Sequence, residues 1–119
     1  ASVEPTVAAL SIAPLAPGET VIRTVDVSNT GALAFDAVTT VAKKAGYTDL
    51  WNALVCRVTC QGVELYDGPL ATMLTKPVRV APGATAQVDY AIGLPPEAGN
   101  DLQGDYVRAS LYVDAEQVR

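Results

Sequence analysis

Apolar and polar residues alternate with a period of two along most of the chain, which is the pattern of β-strands buried on one face. The clearest case is the last strand, whose predicted inward positions are Val107, Ala109, Leu111, Val113 and Ala115. The same alternation predicts three further strands, with inward residues Val88, Tyr90, Ile92 and Leu94; Leu33, Phe35, Ala37, Thr39 and Val41; and Val25 and Val27. A weaker first strand places Val7, Ala9 and Ser11 on one face.

Gly and Pro residues separate these strands. The near-copies Ala16-Pro17-Gly18-Glu19 and Ala81-Pro82-Gly83-Ala84 predict type II turns, because Gly accepts a positive φ at the third position. Gln61-Gly62 predicts a tight turn within a hairpin. Residues 48–54 break the alternation and predict one short helical turn, with Thr48 as N-cap and Trp51 placed on the end of the core.

Together these elements predict an all-β fold, a jelly-roll-like or Ig-like β-sandwich of about eight strands with one short helical turn. We divide the chain into an N-terminal strand, residues 1–12, which is a candidate donor strand, and a β-sandwich domain, residues 13–119. Alternation alone leaves the order of the strands within the sheets open.

Composition narrows the class of protein. The chain has 119 residues, half of them hydrophobic, and a formal net charge of −5. This length suits one domain, and the acidic balance disfavours binding to nucleic acid or to anionic membrane surfaces. No run of 18 apolar residues occurs, so we expect no membrane insertion. The start at Ala1 is typical of a chain after signal-peptide removal, which predicts a secreted protein.

The side chains that most catalytic sites require are missing from the sequence. The chain has no His, which excludes Ser-His-Asp and Cys-His arrangements and every His-based zinc site. Two Cys residues cannot complete a closed zinc site, and no HExxH, P-loop or GxGxxG motif occurs. We therefore predict that the protein is not an enzyme and has no catalytic residues, no metal site and no cofactor.

Cys56 and Cys60 share a face if they lie on one strand, where their Cα atoms would be about 13 Å apart. A disulfide requires roughly 4.4–6.8 Å. Three alternatives follow: two buried thiols, an intrachain disulfide over a bulge or at the Gln61-Gly62 turn, or a bond between subunits. Because exposed thiols do not persist in an oxidising compartment, we favour the intrachain disulfide, which predicts a distorted strand.

Several short motifs, taken in their order and spacing, cover nearly the whole chain. The most specific are Tyr66-Asp67-Gly68-Pro69-Leu70, and Ala98-Gly99-Asn100 followed by Gln103-Gly104. The others are Leu15 to Glu19, Val25 to Gly31, Leu50 to Leu54, Val80 to Gly83, and Leu94-Pro95. This set resembles the TasA/camelysin family, secreted β-sandwich proteins whose best-known members build extracellular biofilm fibres, and to which archaeal bundling pilins are related.

The resemblance implies a jelly-roll-like subunit that polymerises by donor-strand complementation, in which the N-terminal strand of one copy completes the sheet of the next. The donor would run from Ala1 to about Leu10, with Val3, Thr6, Val7 and Ala9 as the assembly residues. Val3, Val7 and Ala9 share a parity and are the predicted inserted face. Pro5 has no N–H to donate, which restricts strand pairing around it.

We therefore predict a structural subunit of an extracellular or cell-surface filament, a biofilm-matrix fibre or a pilus. Its partner would be further copies of itself, with other matrix components as additional candidates. The alternative is a monomeric secreted or cell-surface accessory or adhesion module built on the same sandwich. About fifteen residues precede the first Pro-Gly turn, and some of them must form the domain's own first strand. Either the donor strand is short, or the protein does not polymerise by strand donation. Camelysin has been described as a metalloprotease. Because this chain has no His, we do not expect that activity here.

Overall fold

Two four-stranded antiparallel sheets form the protein in a computed structural model that describes residues 3–12, 17–98 and 107–117. The strands are β1 (Val3–Ile12), β2 (Thr20–Ser28), β3 (Phe35–Gly46), β4 (Val55–Cys60), β5 (Val63–Pro69), β6 (Val78–Val80), β7 (Thr85–Gly93) and β8 (Val107–Gln117). One short helix, α1 (Thr48–Ala53), joins β3 to β4, and two 3-10 turns span Leu70–Thr72 and Pro96–Ala98.

The strand order defines the architecture. The first sheet has the order β1-β8-β3-β6 and the second has the order β2-β7-β4-β5. Consecutive strands therefore lie in opposite sheets, except for β4 and β5, which form a tight hairpin within one sheet. This is the strand order of a jelly roll, a double-sheet sandwich built from two Greek keys. The predicted all-β sandwich of eight strands is confirmed.

The core lies between the two sheets and consists mainly of the residues that the alternation placed inward. The predicted inward residues of β7 are buried, and so are those of β8 as far as Val113, with Ala115 packed against the core. In β3, Phe35, Ala37 and Thr39 are buried and Val41 is partly buried. Leu33 is an exception, because it precedes β3 in the connecting loop and is 47% exposed.

The predicted turns and the helical turn are present, with one difference at the helix start. Gly18 has φ +88°, and both Gln61 and Gly62 have positive φ, as a hairpin turn of type I′ requires. The N-cap is Tyr47 rather than Thr48, since the Tyr47 carbonyl accepts the first helical hydrogen bond, from the Trp51 N–H. Trp51 is buried, as predicted.

A buried polar connection links the two sheets. The Tyr90 hydroxyl, on β7, shares a hydrogen bond of 2.7 Å with the Thr39 hydroxyl on β3. The Thr39 backbone N–H donates in turn to the Thr75 hydroxyl at 2.9 Å. All three side chains are buried, so each depends on its protein partner for hydrogen bonding.

Tyr90→Phe is expected to lower the free energy of unfolding by about 1–2 kcal/mol, because the Thr39 hydroxyl loses its partner inside the core. Urea denaturation followed by circular dichroism measures the change. Tyr112→Phe is the matched control, since Tyr112 lies half-buried on the outer face of its sheet. Equal stabilities for Tyr90→Phe and the parent chain would show that water satisfies Thr39.

Candidate functional site

The segment predicted as a donor strand forms β1, an edge strand of the first sheet. β1 pairs antiparallel with β8, from Val3 opposite Ala115 to Ile12 opposite Val107. It also contacts β2, the edge strand of the other sheet. In this structure β1 therefore completes the sheet of its own chain and lies on one side of the sandwich, next to the other sheet's edge.

The pairing of β1 with β8 changes register within the strand. Thr6 lies opposite Val113 and Val3 opposite Ala115, both on the core-facing parity of β8. Val7 and Ala9 instead lie opposite Tyr112 and Ser110, on the other parity. The side chains of Val3, Thr6 and Val7 lie outside the described residues, so the predicted inserted face stays a prediction; of the assembly residues the structure describes the side chain of Ala9, which is exposed.

A bulge around Pro5 causes this change of parity. The register shifts between Val3 and Thr6, where three residue steps of β1 match two steps of β8. One extra residue in a strand reverses the alternation that follows it. Pro5 lies inside this shift, at a place where a missing backbone donor disturbs the ladder least.

The residues that anchor β1 are Leu10 and Ile12, which the sequence-based assignment missed. Leu10 is 5% and Ile12 is 1% exposed, whereas Ala9 and Ser11, which alternate with them along the strand, are exposed. Burying side chains of this size stabilises the fold by roughly 1.5–3 kcal/mol each. Over residues 9–12, the even-numbered positions carry the larger apolar side chains, and this difference in size identifies the buried face at that end of β1.

The opposite side of the sandwich, formed by the edge strands β5 and β6, is closed by the chain itself. β6 pairs with only three residues of β3. Beyond it, Leu74 forms a bridge with Thr40, and the Thr75 N–H donates to the Thr39 carbonyl. The Lys76 N–H then donates to the Leu65 carbonyl of β5. This segment connects the two sheets, and β1 lies on the opposite side of the sandwich.

Cys56 and Cys60 are free, buried thiols on β4. The intrachain disulfide that we favoured from the sequence is absent from this structure, which shows the buried-thiol alternative. A bulge does occur nearby, but β5 carries the extra residue, between Tyr66 and Glu64. β4 stays in continuous register with β7, so the strand is not bent enough to bring the two sulfurs together.

Alkylation with mass spectrometry is expected to find two free thiols after denaturation without reductant, and slow labelling in the native state. Burial makes both thiols inaccessible to the reagent while the domain is folded. Labelling that requires prior reduction would show a disulfide instead, and its position would separate the intrachain bond from a bond between subunits.

Stability is expected to fall above about pH 9, because burial, followed by the nearby Asp67 carboxylate, raises the pKa of the Cys56 thiol from its usual 9.0 to about 12. The folded chain keeps this proton while the unfolded chain releases it, so stability is complete below the unfolded pKa and is lost as the pH rises towards the folded one. The loss between about pH 8 and about pH 10 is on the order of 1 kcal/mol.

Urea denaturation at a series of pH values measures this slope. Cys56→Ala should flatten it more than Cys60→Ala, although burial also raises the pKa of Cys60 and of Tyr90. An unchanged slope in Cys56→Ala would assign the alkaline loss to other groups.

The described part of the chain offers little room or ligand chemistry inside the sandwich. A cavity of about 10 Å³ beside Thr39 and Thr75 has space for about one water molecule. Among the described residues, no three of His, Cys, Asp and Glu cluster as metal ligands. No helix in the same residues is long and apolar enough to cross a membrane.

Comparisons with known proteins show weak structural similarity. No protein-family model matches the sequence, and no curated protein matches it either. Among solved structures, the chain is similar to the crystal structure of dimeric latent PorU from Porphyromonas gingivalis, with 10% sequence identity and a TM-score of 0.39. The match covers 98% of this chain and 13% of that one, so the chain spans about one eighth of the length of that structure.

Proposed function

We propose that the chain is a structural subunit of an extracellular filament, a biofilm-matrix fibre or a pilus, and that it polymerises by donating β1 to the next copy. The position of β1 carries this proposal, because β1 is an edge strand that contributes Leu10 and Ile12 to the core. An edge strand forms the same ladder and buried contacts in a second copy as in its own. The motifs shared with the TasA/camelysin family support the same function.

Donation would leave the β8 edge of each copy open for the strand of its neighbour. Without β1, the inward residues Ala109 and Val107 of β8 lose the buried side chains opposite them, Leu10 and Ile12. Each copy then both donates and accepts a strand, which is a head-to-tail contact that grows into an open filament when the rotation between copies does not close a ring. The proposal places the protein outside the cell after signal-peptide removal and assigns it no catalytic activity.

The same strand favours a second candidate function. β1 pairs with β8 of its own chain over most of its length in this structure. A domain that retains its first strand is a closed monomer, which suits an accessory or adhesion module that is secreted or held at the cell surface. The two candidates differ only in which chain supplies β1.

Cysteine cross-linking between β1 and β8 distinguishes donation from retention. Ala9 lies opposite Ser110, at a separation that opposite residues on one sheet face can bridge. One preparation carries Ala9→Cys, the other carries Ser110→Cys, and the two are mixed and oxidised under assembly conditions. We expect covalent dimers from the mixture, because β1 of one chain lies on β8 of another.

The matched control replaces Ser110→Cys with Thr40→Cys, which lies on the outer face of β3 and pairs with β8 rather than with β1. It should give no cross-link to Ala9→Cys. Electron microscopy of the parent chain should show uniform filaments that disappear when residues 1–12 are deleted. Cross-links that form only within the Ala9→Cys/Ser110→Cys double variant, together with monomers in microscopy, would assign the monomeric function.

A further inference from the structure

Charged residues on the outer face of the β1-β8-β3-β6 sheet are separated by sign along the strands. Arg108 and Lys44 lie at the end where β8 begins, and Asp114 and Glu116 lie where it ends. All four are exposed. Arg108 and Glu116 are eight positions apart, which is about 27 Å along a strand.

The acidic end keeps its net charge because its only described ion pair involves another carboxylate. Asp36 pairs with Arg79 at 3.0 Å, and this pair is neutral as a unit. Asp114 and Glu116 therefore contribute two uncompensated negative charges next to it, which matches the two positive charges at the other end. Among the side chains that the structure describes, the face thus carries equal and opposite charges at its two ends.

The centre of the face consists of short or half-buried side chains. Ser110 lies opposite Ala42, and Tyr112 lies opposite Thr40, and these four are half-buried. The Lys44 ammonium lies 5.3 Å from the centroid of the Tyr112 ring, which holds the positive charge above the sheet surface. A second flat surface can approach such a face closely.

We propose that this outer face binds a second copy of the chain, related by a two-fold axis that crosses the strands near Tyr112. This rotation reverses the strand direction, so the basic end of each copy faces the acidic end of the other, and the charge contact forms twice. An open groove of about 390 Å³, lined in part by Asp36, Asp114 and Glu116, receives the basic side chains of the second copy. A second copy is the occupant because the face is complementary in charge to itself.

The size of the face makes this contact weak and sensitive to salt. A length of about 27 Å over three strands spaced about 4.8 Å apart covers about 400 Å² per copy, or about 800 Å² in total. Stable interfaces bury about 1,200–2,000 Å², so the charge contacts decide whether the copies pair. Because exposed charges are screened within about one Debye length, raising the ionic strength separates the copies.

Sedimentation velocity of the full chain tests this contact at ionic strengths of about 20 mM and about 500 mM. In preparations in which β1 is not exchanged, we expect concentration-dependent dimers in the lower salt and monomers in the higher salt. Asp114→Lys/Glu116→Lys makes both ends basic, and Lys44→Glu/Arg108→Glu makes both ends acidic. Each double variant alone should dimerise at least about tenfold more weakly than the parent chain, whereas an equimolar mixture of the two should recover dimers.

Glu64→Lys/Asp67→Lys is the matched control, because it changes the net charge by the same amount on exposed residues of β5, in the other sheet. It should dimerise like the parent chain. Three results would overturn the proposal: a parent chain that stays monomeric at about 1 mM in low salt, salt-sensitive dimers that persist in both reversed variants, or a control that weakens as much as they do. Dimers formed by exchange of β1 are distinguished because they rest on backbone hydrogen bonds and buried side chains and persist in the higher salt.

Discussion

Val113→Asp is expected to abolish folding. Val113 is 3% exposed, and it lies in β8 between Thr6 on β1 and Thr39 on β3, in the interior of its sheet. A carboxylate at this position has no cation opposite it, because its strand neighbours are Thr6 and Thr39. Burying such a charge costs several kcal/mol, which is comparable with the whole stability of about 5–15 kcal/mol expected for a domain. Far-UV circular dichroism should show an unfolded chain at room temperature.

Ser110→Asp is the matched control for this substitution. It introduces the same carboxylate into the same strand, but Ser110 lies on the outer parity, where the carboxylate reaches water. This variant should retain the strand signal of the parent chain and a cooperative unfolding transition. A Val113→Asp chain with the same denaturation midpoint as Ser110→Asp would mean that β8 buries the other face.

Trp51→Ala is expected to lower the free energy of unfolding by about 3–5 kcal/mol. Trp51 is 8% exposed and lies in α1 next to Leu50, which is fully buried. Together they close the end of the sandwich between β3 and β4. The six-residue helix is too short to persist by itself, so the packing of these side chains holds it in place. Urea denaturation followed by circular dichroism measures the loss.

Ile22→Ala is the control for Trp51→Ala, since it removes a large apolar side chain that is 70% exposed on β2. Its effect should stay within about 0.5 kcal/mol, as surface substitutions usually do. A loss below about 1 kcal/mol for Trp51→Ala would show that α1 contributes little to closing the core.

The parts of the fold that were predictable from sequence are those in which the alternation of apolar and polar residues, or a clear break in it, determines the structure locally. The inward residues of β7 and β8 were predictable because each strand buries one face continuously, so its period of two is unbroken. Residues 48–53 were recognisable as helical by the break in that period. Leu33 was misassigned because the alternation before Phe35 continues into a loop that leaves the sheet.

The candidate site was predictable only in its location. The N-terminal strand was expected, and β1 extends from Val3 to Ile12. Its described end buries Leu10 and Ile12 rather than Ala9 and Ser11, and the register shift around Pro5 is visible only in the pairing with β8. The state of the two cysteines was also not predictable from their own strand. The distortion that a disulfide would need occurs in β5, and the sequence of β4 alone carries no sign of its neighbour's bulge.

By itself, the sequence determined that the protein is an all-β sandwich, which strands alternate and where the turns lie, because strand periodicity and turn chemistry depend on neighbours within a few residues. The tertiary structure decided the jelly-roll order, the buried face of β1 and the opposite charges at the two ends of one outer face. These features depend on which strands lie side by side and in which register, and pairs such as Ala9 with Ser110 join residues from opposite ends of the chain.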